Sequence, residues 1–399
     1  MTIHDKRENK MYKILIVHNQ YQFTGGEDTV AENEGKLLSE NGNEVLYYIR
    51  NNKEIDNYNK IRKILAGLGT FFSIKSYREI SNIIRENGVD IVHIHNTVPL
   101  ISLSAYYAAK KNKCKLVQSI HNQRMLCPSG LMERNGKVCE ECVSYGLNRA
   151  IKHKCYKDSK LYSFLLAKSL ELHRKIGTYN KVDAFLVTTE FNKYQLLRSG
   201  VVSKERIFMK PYYFDCDIRE LKNKKRNYFL YIARLERVKG IFVLLEAIRG
   251  LREEKLLIRG NGPDEDAVKD YVRENSMQNV VFLDYLSKEQ MLEYIYNAKA
   301  VIIPTQLYEG FPMTIVESFS MGTPVIGSNF GNVGTIIRDH ENGLLFDYTS
   351  SKDLACKISE LSNNIELSEK LEKNAQDTFV KNHTAECVYR KTMEIYSKI

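Results

Sequence analysis

Short continuous apolar runs recur along the chain, each followed by a turn rich in glycine or polar residues and then by a segment of helical period. In the first half they are Lys13-Ile14-Leu15-Ile16-Val17-His18, Val45 to Ile49, Val89 to Asn96, Lys115 to Ile120, Lys181 to Thr188 and Arg206 to Met209. In the second half they are Tyr228 to Ile232, Leu256 to Arg259, Val280 to Tyr285, Ala300 to Ile303, Pro324-Val325-Ile326 and Gly343 to Phe346. Runs this short and continuous predict buried parallel strands rather than helices, and the helical segments between them predict crossover connections. The fold class is therefore α/β. A chain of 399 residues is too long for one ordinary core, and Pro211-Tyr212-Tyr213-Phe214 marks a break between two doubly wound domains, at 11–212 and 225–380.

The second half is organised around Tyr308-Glu309-Gly310-Phe311-Pro312-Met313-Thr314-Ile315-Val316-Glu317, between two of the apolar runs. Gly310 permits a sharp turn, Pro312 suits the first helical position, and Gly322 is placed to close the helix. The unit reads strand, loop, helix, strand. In open parallel sheets ligands bind beyond the carboxyl ends of the strands, so this loop opens onto the expected site. Two glutamates at this spacing can also be a solvated helix face, but Gly310 and Pro312 interrupt any continuous helix and place Glu309 on the loop. The helix start favours a phosphate, while the carboxylates accept hydrogen bonds from hydroxyls. Phosphate plus hydroxyls points to a sugar nucleotide.

Glu309-Gly310-Phe311-Pro312 through Glu317-Ser318 resembles the E-x7-E signature of retaining family 4 glycosyltransferases, and the resemblance runs through most of the chain. Pro312 stands where many relatives carry glycine. The resemblance implies a GT-B fold: two Rossmann-like domains facing across a cleft, with a final helix, 384–399, that packs back on the first. It implies transfer with retention from a donor held by Gly25, Gly26, Arg234, Lys239, Glu309, Gly310, Phe311, Pro312, Met313, Thr314 and Glu317; the alternative for Gly25 and Gly26 is a simple turn. His121, in His121-Asn122-Gln123-Arg124, resembles the family's histidine facing the donor sugar; its alternative is a buried, satisfied imidazole. His121, Arg234, Lys239 and Glu309 form the expected catalytic set. Arg234 and Lys239 follow a strand end as R-x4-K-G, where two fixed cations can clamp a diphosphate without a catalytic metal. Retention is expected by front-face transfer assisted by these cations, since no carboxylate can be assigned as a covalent nucleophile.

Other chemistries are less well supported. The glycine turn at Gly25 and Gly26 lacks G-x-G-x-x-G and the next strand ends in Arg50, so a dehydrogenase is rejected. Asp215-Cys216-Asp217 matches D-x-D only in a linker. His93 and His95 share one strand face, either as metal ligands or in a packed, hydrogen-bonded role. Cys127, Cys139, Cys142 and Cys155 have the spacing C-x11-C-x2-C-x12-C, in a segment with little apolar period. They are either four thiolates of a structural zinc site or unliganded thiols.

Lysine and arginine number 59 against 49 acidic residues, a net charge of +10 that favours an anionic partner. No apolar run spans a bilayer, and residues 1–10 resemble neither an export signal nor a transit peptide, so a cytoplasmic protein is expected. Two stretches mix basic and apolar residues, 60–78 and 149–166. Either they lie on an anionic membrane at its inner face or they are core-facing helices with basic backs. The expected partners are a UDP- or GDP-sugar and a saccharide or polyprenyl-diphosphate-linked acceptor of surface polysaccharide assembly. Nucleic acid is not expected, because no reading motif is recognisable. The competing readings are an epimerase or hydrolase of sugar nucleotides, which needs no acceptor, and a basic nucleic-acid-binding protein.

Overall fold

The computed structural model describes residues 11–22, 25–59, 65–215 and 227–399. Residues 1–10, Thr24 of the glycine turn, residues 60–64 of the first basic stretch, and Cys216 and Asp217 of the linker motif lie outside the described residues.

The first domain carries strands β1 (Lys13–Gln20), β2 (Glu44–Asn51), β3 (Ile91–Asn96), β4 (Lys115–Ser119), β7 (Ala184–Val187) and β8 (Ile207–Met209), besides a two-residue hairpin, β5 (Glu133–Arg134) and β6 (Lys137–Val138). The second carries β9 (Phe229–Ile232), β10 (Leu256–Arg259), β11 (Val280–Leu283), β12 (Ala300–Ile303), β13 (Val325–Ser328) and β14 (Gly343–Phe346). The sheets run β2-β1-β3-β4-β7-β8 and β11-β10-β9-β12-β13-β14, parallel throughout. Helices on both faces bury the strands, and every residue of β3 is buried. That is why these segments read as continuous apolar runs. Strand order reverses between β1 and β3 and again between β9 and β12, creating the two crevices where such sheets hold ligands.

The last helix, Ala385–Lys398, sets Ile395 and Tyr396 among Ile14, Ile16 and Val117 of the first sheet. Its Tyr396 hydroxyl reaches His93 Nδ1 at 2.7 Å. The apolar–basic stretch at 65–78 is not one helix. Ser73 Oγ accepts from the Ser76 N–H at 3.3 Å and starts a separate helix, Ile74–Asn87.

A buried polar cluster lies under the first crevice. Lys210 pairs with Glu34 at 2.8 Å, His93 stacks on His95 and His95 on His121. Burial opposes charge on Glu34, but Lys210 and His93 hold its carboxyl below the usual range. Burial pushes His93 and His121 down to about 4. Since the unfolded value is near 6.5, the unfolded chain binds these protons first as the solution is acidified. Their stabilisation is complete above pH 6.5 and is lost progressively toward pH 4, at up to about 1.4 kcal/mol per pH unit for each. The melting temperature is therefore expected to fall between pH 6.5 and 4.5; an unchanged value would show that these imidazoles are not buried as neutral groups.

Candidate functional site

The second crevice is built from the ends of β9 and β12. After β9 the chain turns through Ala233 and Arg234 into a short helical turn, Arg237–Lys239, closed by Gly240 with φ +75°. A Cβ at Gly240 would stand 1.7 Å from the Pro304 carbonyl oxygen, so only glycine lets the Lys239 turn close onto the end of β12. A cavity of about 490 Å³ opens here, lined by Arg234, Glu236, Lys239, Thr305, Glu309, Pro312 and Thr314 among others.

Lys239 Nζ donates to both Glu309 oxygens at 2.8 Å, and Thr305 Oγ1 donates to Glu309 Oε1 at 2.8 Å. Arg234 is largely exposed, with Glu236 3.8 Å away. The cation of the R-x4-K-G segment and the first glutamate of E-x7-E are thus one ion pair, and Arg234 stands open to meet a ligand. The following helix, Met313–Ser320, aims its N-terminus at this cavity. Pro312 is its cap residue and not, as the sequence suggested, its first helical residue. Gly322 closes it with φ +60°.

The remaining expected site residues divide among other locations. Glu317, deep in that helix, is not among the residues lining the cavity, and burial pushes its carboxyl upward while Lys288 opposes the shift. Met313 and Gly26 line a second cavity of about 250 Å³ between the domains, with Lys210 and Tyr212. Gly25 caps the first helix, its N–H held by Asp28 Oδ2 at 2.8 Å. Phe311 packs edge-on against Tyr212, ring centres 4.9 Å apart.

The His121 ring is turned inward. Nε2 meets His95 Nδ1 at 3.0 Å, and Nδ1 meets the Tyr212 hydroxyl. What faces the glutamate loop is the His121 carbonyl, 3.2 Å from where a Gly310 Cβ would stand. His93 bonds Tyr396 and Ser119, which is the packed, hydrogen-bonded role. Among the described residues, Glu34, His93 and His95 are the one metal-capable group whose ligand atoms lie within 4.8 Å of one another. The Lys210 ammonium already occupies Glu34.

The four cysteines are free thiols gathered in one region. A hydrogen bond from Cys142 and another with Ser129, working against burial, push the Cys127 thiol down to about 5. Burial, with Cys127 and Cys139 nearby, pushes Cys155 up. Among the described residues no three of these sulfurs come within 4.8 Å of one another, whereas a tetrahedral zinc site with bonds near 2.3 Å brings them to roughly 3.8 Å.

Two contributors escape a sequence reading. Asn332, fully buried, donates through Nδ2 to the Glu309 carbonyl at 2.6 Å and to that of Gly310. The same Nδ2 lies 3.1 Å from Asn192 Oδ1, and Thr189 Oγ1 donates to Asn332 Oδ1. Asn332 thereby pins the glutamate loop to the first domain. The one local signal is Gly331, with φ +53°, just before it. Arg124 is the second contributor. Its sequence signal is only its place three residues after His121, and the structure sets it on the wall of a cavity that His121 and Asn122 also line.

Comparison with known proteins agrees with this architecture. The model for family 4 glycosyltransferases matches residues 24–211, and that for group 1 glycosyl transferases matches 217–378. An uncharacterized glycosyltransferase of Methanocaldococcus jannaschii is 25% identical over 384 residues, covering 94% of this chain and 95% of its own. The amylovoran biosynthesis glycosyltransferase AmsD of Erwinia amylovora is 23% identical over 374 residues, covering 91% and 93%. A glycosyltransferase from Rickettsia africae superimposes with a TM-score of 0.70 at 20% identity, over 97% of this chain and 98% of that one. Anabaena HepE, solved with UDP, gives 0.66 at 15% identity, over 97% and 100%. With paired parallel sheets, a cleft between them and both halves matched, the chain belongs to the family 4 glycosyltransferases and has the GT-B fold.

Proposed function

We propose that this glycosyltransferase moves a sugar, with retention of configuration, from a UDP- or GDP-sugar to a saccharide or polyprenyl-diphosphate-linked acceptor in surface polysaccharide assembly. The observation that carries this reading is the crevice between β9 and β12, where Arg234, the Lys239–Glu309 pair and a helix N-terminus converge. The helix N–H groups and the two cations receive the diphosphate, without a catalytic metal. Glu309 orients the sugar; Glu317, deeper in the helix, serves the ribose. In a front-face transfer the bond from the anomeric carbon to the diphosphate oxygen breaks. The acceptor oxygen bonds to that carbon on the same face, and its proton passes to the leaving phosphate. Arg234 and Lys239 stabilise the charge that develops there. The UDP complex of Anabaena HepE and the amylovoran biosynthesis relative support the choice of donor and product class. Turnover of UDP- and GDP-sugars in EDTA, with product anomeric configuration read by NMR, tests it. An inverted product, or turnover only with added magnesium or manganese, would overturn it.

Membrane contact is part of the proposal. No helix among the described residues is long and apolar enough to cross a membrane. Residues 65–72 instead lie beside the helix Lys160–Lys175, with a Gly67 Cβ position 2.8 Å from Leu165 and His173 Nε2 bonded to the Phe71 carbonyl at 2.8 Å. Leu65 (58% exposed), Leu68, Leu161 (55%) and Phe164 remain in solvent, near exposed Lys157 and Lys160. Such a surface fits the inner leaflet at a lipid-linked acceptor. The protein is expected to sediment with anionic vesicles, and Leu161→Ser with Phe164→Ser to lower partition at least about tenfold. Equal binding to neutral and anionic vesicles would contradict it.

A structural zinc at Cys127, Cys139, Cys142 and Cys155 is likewise proposed, supported by four gathered thiols in a segment of two-residue strands and five-residue helices. The sulfurs must draw inward to close on the ion. Elemental analysis of protein purified without added metal is expected to find one zinc per chain; a folded, metal-free protein would rule it out.

A further inference from the structure

A third cavity, of about 80 Å³, lies in the first domain at the carboxyl ends of β3 and β4. Arg124 lines it, and Arg124 Nε and Nη1 are shut off from solvent with no hydrogen-bond partner. An arginine cannot relieve burial by losing its proton; the Tyr156 and Tyr21 hydroxyls and the Glu27 charge stabilise the guanidinium from one side, but Nε and Nη1 are left without a hydrogen bond. Among the described residues no carboxylate pairs with it. The oxygens of the nearby Glu27 are taken by the Tyr21 hydroxyl at 2.8 Å and Asn122 Nδ2 at 2.7 Å. The Tyr156 ring centre is 5.9 Å from the guanidinium carbon.

The rest of the lining contains no lysine, no further arginine and no acidic residue. His95 and His121 are kept neutral by burial, so Arg124 is the fixed charge of this cavity. A water needs about 10–15 Å³ of such space, so there is room for a few waters or one tetrahedral oxyanion, but little for a sugar ring. The cavity adjoins the cleft: His121 and Asn122 line it, and the His121 carbonyl abuts Gly310 beside Glu309.

We propose that Arg124 receives an oxyanion of the acceptor, a phosphate or a carboxylate, so that the enzyme acts on an anionic acceptor. This rests on the glycosyltransferase reading of the cleft. The group enters beside the glutamate loop and pairs with the guanidinium, which fixes the acceptor's register while its hydroxyl meets the donor.

The test uses the full chain saturated with UDP, or with GDP if that is what binds, so that the donor site is filled. Inorganic phosphate and, separately, glucuronate are titrated by calorimetry into the wild type, Arg124→Gln and Arg124→Lys. At least one anion is expected to bind the wild type, at least about tenfold more weakly to Arg124→Gln, and in between to Arg124→Lys. Nucleotide affinity should stay within about twofold. Response to phosphate alone assigns a phosphate-bearing acceptor, and to glucuronate a uronic acid. Without anion, Arg124→Gln should melt close to the wild type, since the guanidinium is only partly buried and forms no ion pair among the described residues; a markedly lower melting temperature would mark Arg124 as structural and overturn the proposal. Equal anion affinity in wild type and Arg124→Gln, or no anion binding by the wild type, would also overturn it. Anion binding through Arg124 by a protein that binds no nucleotide would instead sink the donor-site reading and leave this site standing.

Discussion

A Lys239→Met enzyme is expected to lose about 10²- to 10³-fold in kcat, the scale seen when a preorganised group facing developing charge is removed. Lys239 is not an isolated surface cation. It lies 2.8 Å from both oxygens of Glu309, and Gly240 locks its turn against Pro304. In the proposed role, its loss removes a positive charge from the leaving diphosphate; it also leaves the Glu309 carboxylate without its cationic partner. Nucleotide affinity should therefore fall along with the rate. Adding Glu309→Gln to Lys239→Met should restore part of that affinity, because the uncompensated anion is gone, while transfer stays slow. Kinetics and nucleotide titration of both single variants and the double close the cycle, with a coupling of roughly 0.5–3 kcal/mol expected between neighbours of this kind. Strict additivity would mean that the pair seen here is not linked in the donor complex, and that Lys239 has been given the wrong role.

Asn332→Ala is expected to slow transfer about 10²-fold while nucleotide binding changes little. Asn332 is a positioning residue: it holds the carbonyls of Glu309 and Gly310 and ties them to Thr189 and Asn192 across the cleft. Displacing a loop by an ångström can remove two orders of magnitude from a reaction without touching the reacting groups. Asn332→Asp should not rescue the rate, although it has the same shape, because an ionised carboxylate cannot donate to two carbonyls. Separate measurement of kcat and nucleotide Kd distinguishes the cases. If Kd weakens as much as kcat falls, Asn332 acts through the donor site and not through the alignment of the two domains.

The candidate site was legible in the sequence where its chemistry is local. Gly310, Pro312 and Gly322 announce a loop and a short helix by their own backbone preferences, and R-x4-K-G announces cations at a strand end. His121 was legible as the residue delivered by β4, but not the direction of its ring. That direction is set by His95 and Tyr212, one from a neighbouring strand and one from beyond β8. The cysteine spacing likewise reports four thiols within one segment and says nothing about how closely the sulfurs approach.

What the sequence by itself determined is the parallel α/β character, the two halves and the signature that places the chain in its family. Continuous apolar runs, glycines at turns and helical periods act over a few residues, and burial on both sheet faces leaves them no other consistent arrangement. The tertiary structure alone decided that Lys239 pairs with Glu309, that Asn332 pins the loop carrying it, and that two nitrogens of Arg124 are closed off from solvent without a partner. Each depends on which loops the strand-order reversals bring together, between residues up to 143 positions apart. Hydrogen bonds and ion pairs act over a few ångströms, so spacing along the chain carries no record of them until the sheets are assembled.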